Sequence, residues 1–181
     1  MHVVFSEMKT NSADIAITFF GIVYIVGFFA FIPVLFGYSK NGVNLGKFYI
    51  WYLFLATWGS DVFAYLIGRY FGKIKFSKIS PKKTVEGCVA GVIAGVVLVL
   101  VATAIFNNVF NLNINYIVIG IIGFVLTAIG QIGDFAASCI KRYADVKDFS
   151  NLLPGHGGLI DRFDSVIFTA PFAYYLITLL I

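Results

Sequence analysis

The segment SCIKRYADVKDFSNLLPGHGGLIDRFDS, residues 138–165, holds eight charges and three glycines within four positions, between two apolar runs. Its carboxylates are the first residues that could do chemistry. Asp161 and Asp164 are three apart and share a face at the start of a helix; the same pair would also suit a plain helix cap. Asp134, in GQIGDFAAS, is a third carboxylate, and Asp61, in TWGSDVFAY, a fourth. Asp134, Asp161 and Asp164 without a thiolate are a hard-oxygen set, suited to Mg2+ rather than zinc. Magnesium takes one or two carboxylates and completes its shell with water and substrate phosphates, which points to a nucleotide or other polyphosphate as partner.

Cations that complement such a partner lie in KIKFSKISPKKTVEG, residues 73–87. Here Pro81 is predicted to open a helix with Ser80 as its cap. Lys82, Lys83 and Thr84 then fall where free amides and two ammonium groups make an anion site. The alternative is a juxtamembrane basic patch that only sets topology or touches anionic lipid. No GxxxxGK[ST] is present, so this is not a P-loop. His156 stands between Gly155 and Gly157, with Gly158 next, and these glycines allow close backbone approach. It is suited to binding phosphate or contacting a base, the alternative being a loop-ordering hydrogen bond. Nothing in the sequence resembles a Ser-His-Asp or Cys-His nucleophile set, and the other histidine is the terminal His2.

Membrane helices must position these groups. The chain is 60% hydrophobic and 12% charged, with a mean hydropathy of +0.91; soluble domains carry about a quarter charged residues. This is the composition of an integral membrane protein with one bundle, a single domain over 1–181. Five apolar runs can each cross a bilayer: 15–37, 45–68, 85–106, 114–140 and 164–181, the last short and interrupted by Pro171. Period-2 alternation is missing, so the expected class is all-α, a polytopic helix bundle rather than a barrel. The basic residues concentrate in 69–83 and 141–162, which places these two charged loops, and the N-terminus, in the cytoplasm. Asp61 and Asp134 then lie near the cytoplasmic ends of their spans, and ionisable groups at membrane depth are functional by default. The net charge of +4 is confined to loops, which argues against nucleic acid as a partner. Gly87, Gly91 and Gly95 suit close helix packing within or between subunits, so a homodimer is allowed but not required. Cys88 and Cys139 have no CxxC spacing and read as small buried hydrophobes.

Taken together, Ser138, Lys141-Arg142, Lys147-Asp148, Pro154, His156-Gly157-Gly158, Asp161-Arg162 and Asp164 resemble the signature segment of the phosphatidate cytidylyltransferases, or CDP-diacylglycerol synthases. SDVFAYLIGRYFGK, ISPKKTVEG and GQIGDFAAS resemble that family's other segments. The resemblance implies a membrane enzyme of phospholipid biosynthesis that joins CTP and phosphatidate into CDP-diacylglycerol and pyrophosphate with Mg2+, at the cytoplasmic face of a bacterial inner membrane. It implies Asp134, Asp161 and Asp164 as metal ligands, and Lys82, Lys83, His156 and Arg162 beside them as catalytic groups. Substrate-binding positions are then Asp61, Ser80, Thr84, Lys141, Arg142, Lys147, Asp148, Gly157 and Gly158. Family members are usually longer, with further spans before the region this chain matches. Readings left open are a CDP-archaeol synthase or CTP-dependent lipid kinase on the same scaffold, and an inactive remnant. An ion transporter explains the intramembrane acids but not the polar loops.

Overall fold

With no water in hydrocarbon to satisfy backbone amides and carbonyls, a long apolar run must bond to itself, and it does so as a helix. The computed structural model describes residues 12–40, 42–77, 80, 83–150 and 157–181, with side chains from residue 15 onward. It contains five helices long and apolar enough to cross a membrane: α1 (Ile15–Phe36), α2 (Gly46–Phe71), α3 (Val85–Phe110), α4 (Tyr116–Tyr143) and α5 (Ile160–Leu180). Each agrees with a predicted span, and α2, α3 and α4 run a few residues further at their C-terminal ends. The fifth differs most. It starts at Ile160 rather than at 164, reaches 21 residues with Pro171 inside it, and takes Asp161 and Asp164 into its opening turns. Carboxylates are favourable there because they face the positive end of the helix dipole. A hairpin of β1 (Ser39–Lys40) and β2 (Val43–Asn44) joins α1 to α2. The Lys40 ammonium donates to the Ile181 carbonyl and ties that hairpin to the far end of α5.

Short connections make successive helices antiparallel. The starts of α1, α3 and α5 therefore gather at one end of the bundle with the finishes of α2 and α4. This is where the charged loops lie. The opposite half holds the apolar core, where Tyr49, Tyr52, Val99, Ile119, Ile122 and Ile177 are fully buried or nearly so. Buried hydroxyls turn back on their own helices: Thr57 donates to Leu53, Thr103 to Val99, Thr127 to Gly123 and Thr169 to Ser165. Thr103 and Tyr52 also share a hydrogen bond of 3.1 Å between α3 and α2.

The closest helix contact is α2 on α3, set by the small-residue face of α3. A Cβ added at Gly87 would stand 2.5 Å from the Ala64 carbonyl oxygen and 2.9 Å from Cα of Gly68. At Gly91 it would stand 2.7 Å from the Ser60 carbonyl oxygen. The glycine stripe is thus spent inside the chain, bringing the segment that carries Asp61 against the start of α3. Two wider, π-type turns interrupt the spans, at Val23–Gly27 in α1 and at Leu55–Gly59 in α2. The first half of α1 is largely exposed, and α1 meets α2 and α5 mainly through Phe31–Phe36.

A leucine at Gly87 has no room against backbone atoms. Gly87→Leu is expected to destabilise the fold by about 1–3 kcal/mol, the usual cost of overpacking. Thermal melting in detergent, followed by circular dichroism, should show a lowered midpoint; an unchanged midpoint would refute the close α2–α3 contact.

Candidate functional site

The basic loop between α2 and α3 returns on itself as an irregular antiparallel pair. Phe76 N donates to Lys83 O at 2.9 Å and Val85 N to Ile74 O at 3.0 Å, while both Glu86 carboxylate oxygens accept from Ile74 N at 3.2 Å. The helix opens at Val85 with Thr84 as its cap, whose hydroxyl accepts from Gly87 N at 3.2 Å. This corrects the expectation that Ser80 would cap a helix opened by Pro81. Thr84 wins because its side chain meets the first free amide, while the backbone before it is held in the return strand. Lys82, like Pro81, lies outside the described residues, and so does His156.

Lys83, at the end of this return, reaches across to α4 and pairs with Asp134 at 2.7 Å. Asp61 approaches from α2, where it accepts a hydrogen bond from the Ser165 hydroxyl of α5 at 3.2 Å. A cavity of about 160 Å3 lies here, lined by Asp61, Tyr65, Lys83, Thr84, Gln131 and Asp134. Gln131 holds its wall together by donating to the Cys88 carbonyl of α3 at 2.9 Å. Four of the five spanning helices thus meet at one polar centre.

A second ion-paired group lies alongside. Lys141, near the end of α4, binds Asp161 at 2.8 Å and stands 3.8 Å from Asp164. Its ammonium also lies 5.3 Å from the Phe149 ring centre. Asp161 is further occupied: its second oxygen accepts the amides of Phe149 and Gly158, each at 2.9 Å. Asp164 accepts from the Ser165 amide, and the hydroxyl of that same Ser165 is the one bound by Asp61. The central acids are therefore Asp61, Asp134 and Asp164, whereas Asp161 is turned toward the loop after α4. Among the described residues no three acidic, histidine or cysteine side chains stand close enough together to form a ready-made metal cage.

The other predicted residues frame this centre. Arg142 donates to the Val146 carbonyl at 3.3 Å and closes the end of α4. Lys147 is exposed. Asp148 lies against Gly157, which adopts a left-handed φ of 77° suited to glycine. A Cβ on Gly158 would stand 2.5 Å from the Ser150 hydroxyl. The Arg162 side chain is exposed, and its carbonyl accepts from the Trp58 indole at 3.2 Å. Ser165 and Gln131 are the residues the sequence reading missed. Each had a signal: Ser165 follows Asp164, and Gln131 precedes Asp134 by three, on the same helix face.

Alternating cations and carboxylates over a cavity at a membrane surface suit a polyanion accompanied by its own cation. Lysines neutralise the phosphates and carboxylates receive the counter-cation. Asp161→Ala should release the loop but not the bundle. By hydrogen exchange, the amides of Phe149 and Gly158 are expected to exchange at least about tenfold faster, with the α4 and α5 interiors unchanged. Unaltered exchange at Phe149 would show that Asp161 does not order this loop.

The described family model of the cytidylyltransferases matches residues 1–180. The phosphatidate cytidylyltransferase of Bacillus subtilis is 42% identical over 141 residues, 77% of this chain and 51% of that protein. That of Synechocystis sp. is 42% identical over 71% of this chain and 42% of its own length. That of Aquifex aeolicus is 40% identical over 83% of this chain and 55% of its own length. The chain spans about half the length of these relatives. The matched region takes in every group of the polar centre, from Asp61 to Ser165, and by that match the chain belongs to the cytidylyltransferase family.

Proposed function

We propose that this protein transfers the CMP group of CTP to phosphatidate, giving CDP-diacylglycerol and pyrophosphate. The observation that carries the reading is the polar centre itself, with Lys83 on Asp134 and Lys141 between Asp161 and Asp164 at one end of a membrane bundle. CTP comes from water, while phosphatidate keeps its tails in the bilayer and its phosphate at the interface. The end of a bundle is where the two meet. The basic loops would put that end at the cytoplasmic face, and the bacterial relatives suggest a bacterial inner membrane.

In the proposed step a phosphatidate oxygen attacks the α-phosphorus of CTP. A new P–O bond forms, the bond to the β-phosphate oxygen breaks, and pyrophosphate leaves. The attacking monoester has a second pKa near 6 and is largely ionised at neutral pH, so no strong general base is needed. The difficulty is bringing two polyanions together. Lys83 and Lys141, with Lys82, His156 and Arg162 from the adjoining segments, would offset charge on attack and departure.

The residues fit Mg2+ by donor chemistry. All are hard carboxylate oxygens, and each ion pair already sets a cationic nitrogen against one. Asp134 and Asp164 would hold the ion, joined by Asp161 if it gives up Lys141 and the loop amides that now hold it; when bound, the ion supplies charge neutralisation to phosphate oxygens. Magnesium completes its shell from water and substrate phosphates.

The test is pyrophosphate release by the purified chain in detergent–phosphatidate micelles with CTP. Release is expected to require lipid, CTP and Mg2+ together, and to stop on chelation. Asp134→Asn should lower turnover by about 10²–10³-fold, the scale of removing one preorganised electrostatic group, while leaving the helical spectrum intact. Retained turnover in this variant would rule out its metal role. Release with ether-linked but not ester-linked lipid phosphate would move the substrate to an archaeol-type lipid.

A further inference from the structure

An apolar groove of about 570 Å3 opens beside the polar centre, between the first half of α1 and the facing parts of α4 and α5. Ile17, Gly21 and Tyr24 form one wall and Ala137, Ile140 and Ile167 the other. A single carboxylate interrupts this lining, that of Asp164. The groove extends along α1 from Ala16 to Ile25, about 14 Å at 1.5 Å per residue. That is close to the depth of one leaflet, half of a roughly 30 Å hydrocarbon core. At its polar end lies Phe149, whose ring carries the Lys141 ammonium, with Arg142 next along α4.

We infer that this groove seats an acyl chain of the lipid substrate, with the lipid phosphate at Lys141 and Arg142. The inference rests on the functional reading above and adds where the lipid lies. Three observations point to an anionic lipid rather than a second helix. The groove is about one leaflet deep, whereas a packed span would need the full bilayer thickness. The Lys141 ammonium stands beside its end, 5.3 Å from the centre of the lining Phe149 ring, and complements a phosphate. It also borders the centre where the phosphate must react, because Asp164 lines it and stands 3.8 Å from Lys141. The small residues Ala16, Gly21 and Ala137 leave room in which a flexible hydrocarbon chain fits.

Gly21 provides the means of testing this. It lines the groove, and a Cβ built there meets nothing within 4 Å, so a large side chain enters that groove without straining the fold. Gly27, on the same helix, is equally open but does not line the groove. Gly21→Trp is the test variant and Gly27→Trp its control. The probe is a phosphatidate carrying a diazirine midway along one acyl chain, photolysed with the purified protein in micelles. Crosslinks read by mass spectrometry are expected on Ile17–Ile25, Ala137–Ile140 and Ile167. Gly21→Trp should reduce them at least about fivefold, Gly27→Trp should not, and a diacylglycerol with the same label should compete poorly. Labelling spread evenly over the lipid-facing helices, or undiminished in Gly21→Trp, would overturn the groove. Pyrophosphate release measured on the same samples separates the two ideas. Release with labelling elsewhere leaves the enzyme reading standing and removes the groove; groove labelling without release does the reverse.

Discussion

Charge at the edge of hydrocarbon has to be offset where it stands, because water cannot do it cheaply there. In this bundle four carboxylates and two lysines come to one end on α2, α4, α5 and the return before α3. Neither lysine is adjacent in sequence to the acids it serves. Lys83 reaches Asp134 from another helix boundary, and Lys141 reaches Asp161 and Asp164 across a loop. The pairs form only where the helices converge. The glycine face of α3 supplies that condition by letting α2 approach to backbone contact.

The five spans were legible because a 20-residue apolar run has few other uses. The end of the chain was less so. Hydropathy placed the fifth span at 164, since Asp161 and Arg162 look unlike membrane sequence. The helix starts earlier because the Asp161 oxygens are satisfied by Lys141 and two loop amides. A local scan cannot see partners that lie 12 and 20 residues away. The same blindness misplaced the cap of α3: Pro81 is a strong local signal, but the return strand fixes the backbone as far as Thr84.

The candidate site was legible in which polar residues gather at one end of the bundle and less so in how they group. Asp134, Asp161 and Asp164 read as one set by residue type. Folding splits them, with Asp134 on Lys83, Asp161 on the loop, and Asp61 brought into the centre through Ser165. The apolar groove had no sequence signature at all. Its walls come from residues more than a hundred positions apart, each an ordinary membrane hydrophobe.

The wider turn at Leu55–Gly59 gives α2 a fixed angular phase. A π turn accommodates one residue more than an α turn, so everything after it is rotated relative to the preceding helix. Ordinary winding with the same number of residues would swing Asp61 by about 100°, away from Ser165. The first half of α2, anchored by Tyr49 and Tyr52, would be unmoved. The core and the polar end of this helix are therefore two separately keyed segments. The irregular turn between them works as a gear tooth: residue count and winding must change together if Asp61 is to keep facing Ser165.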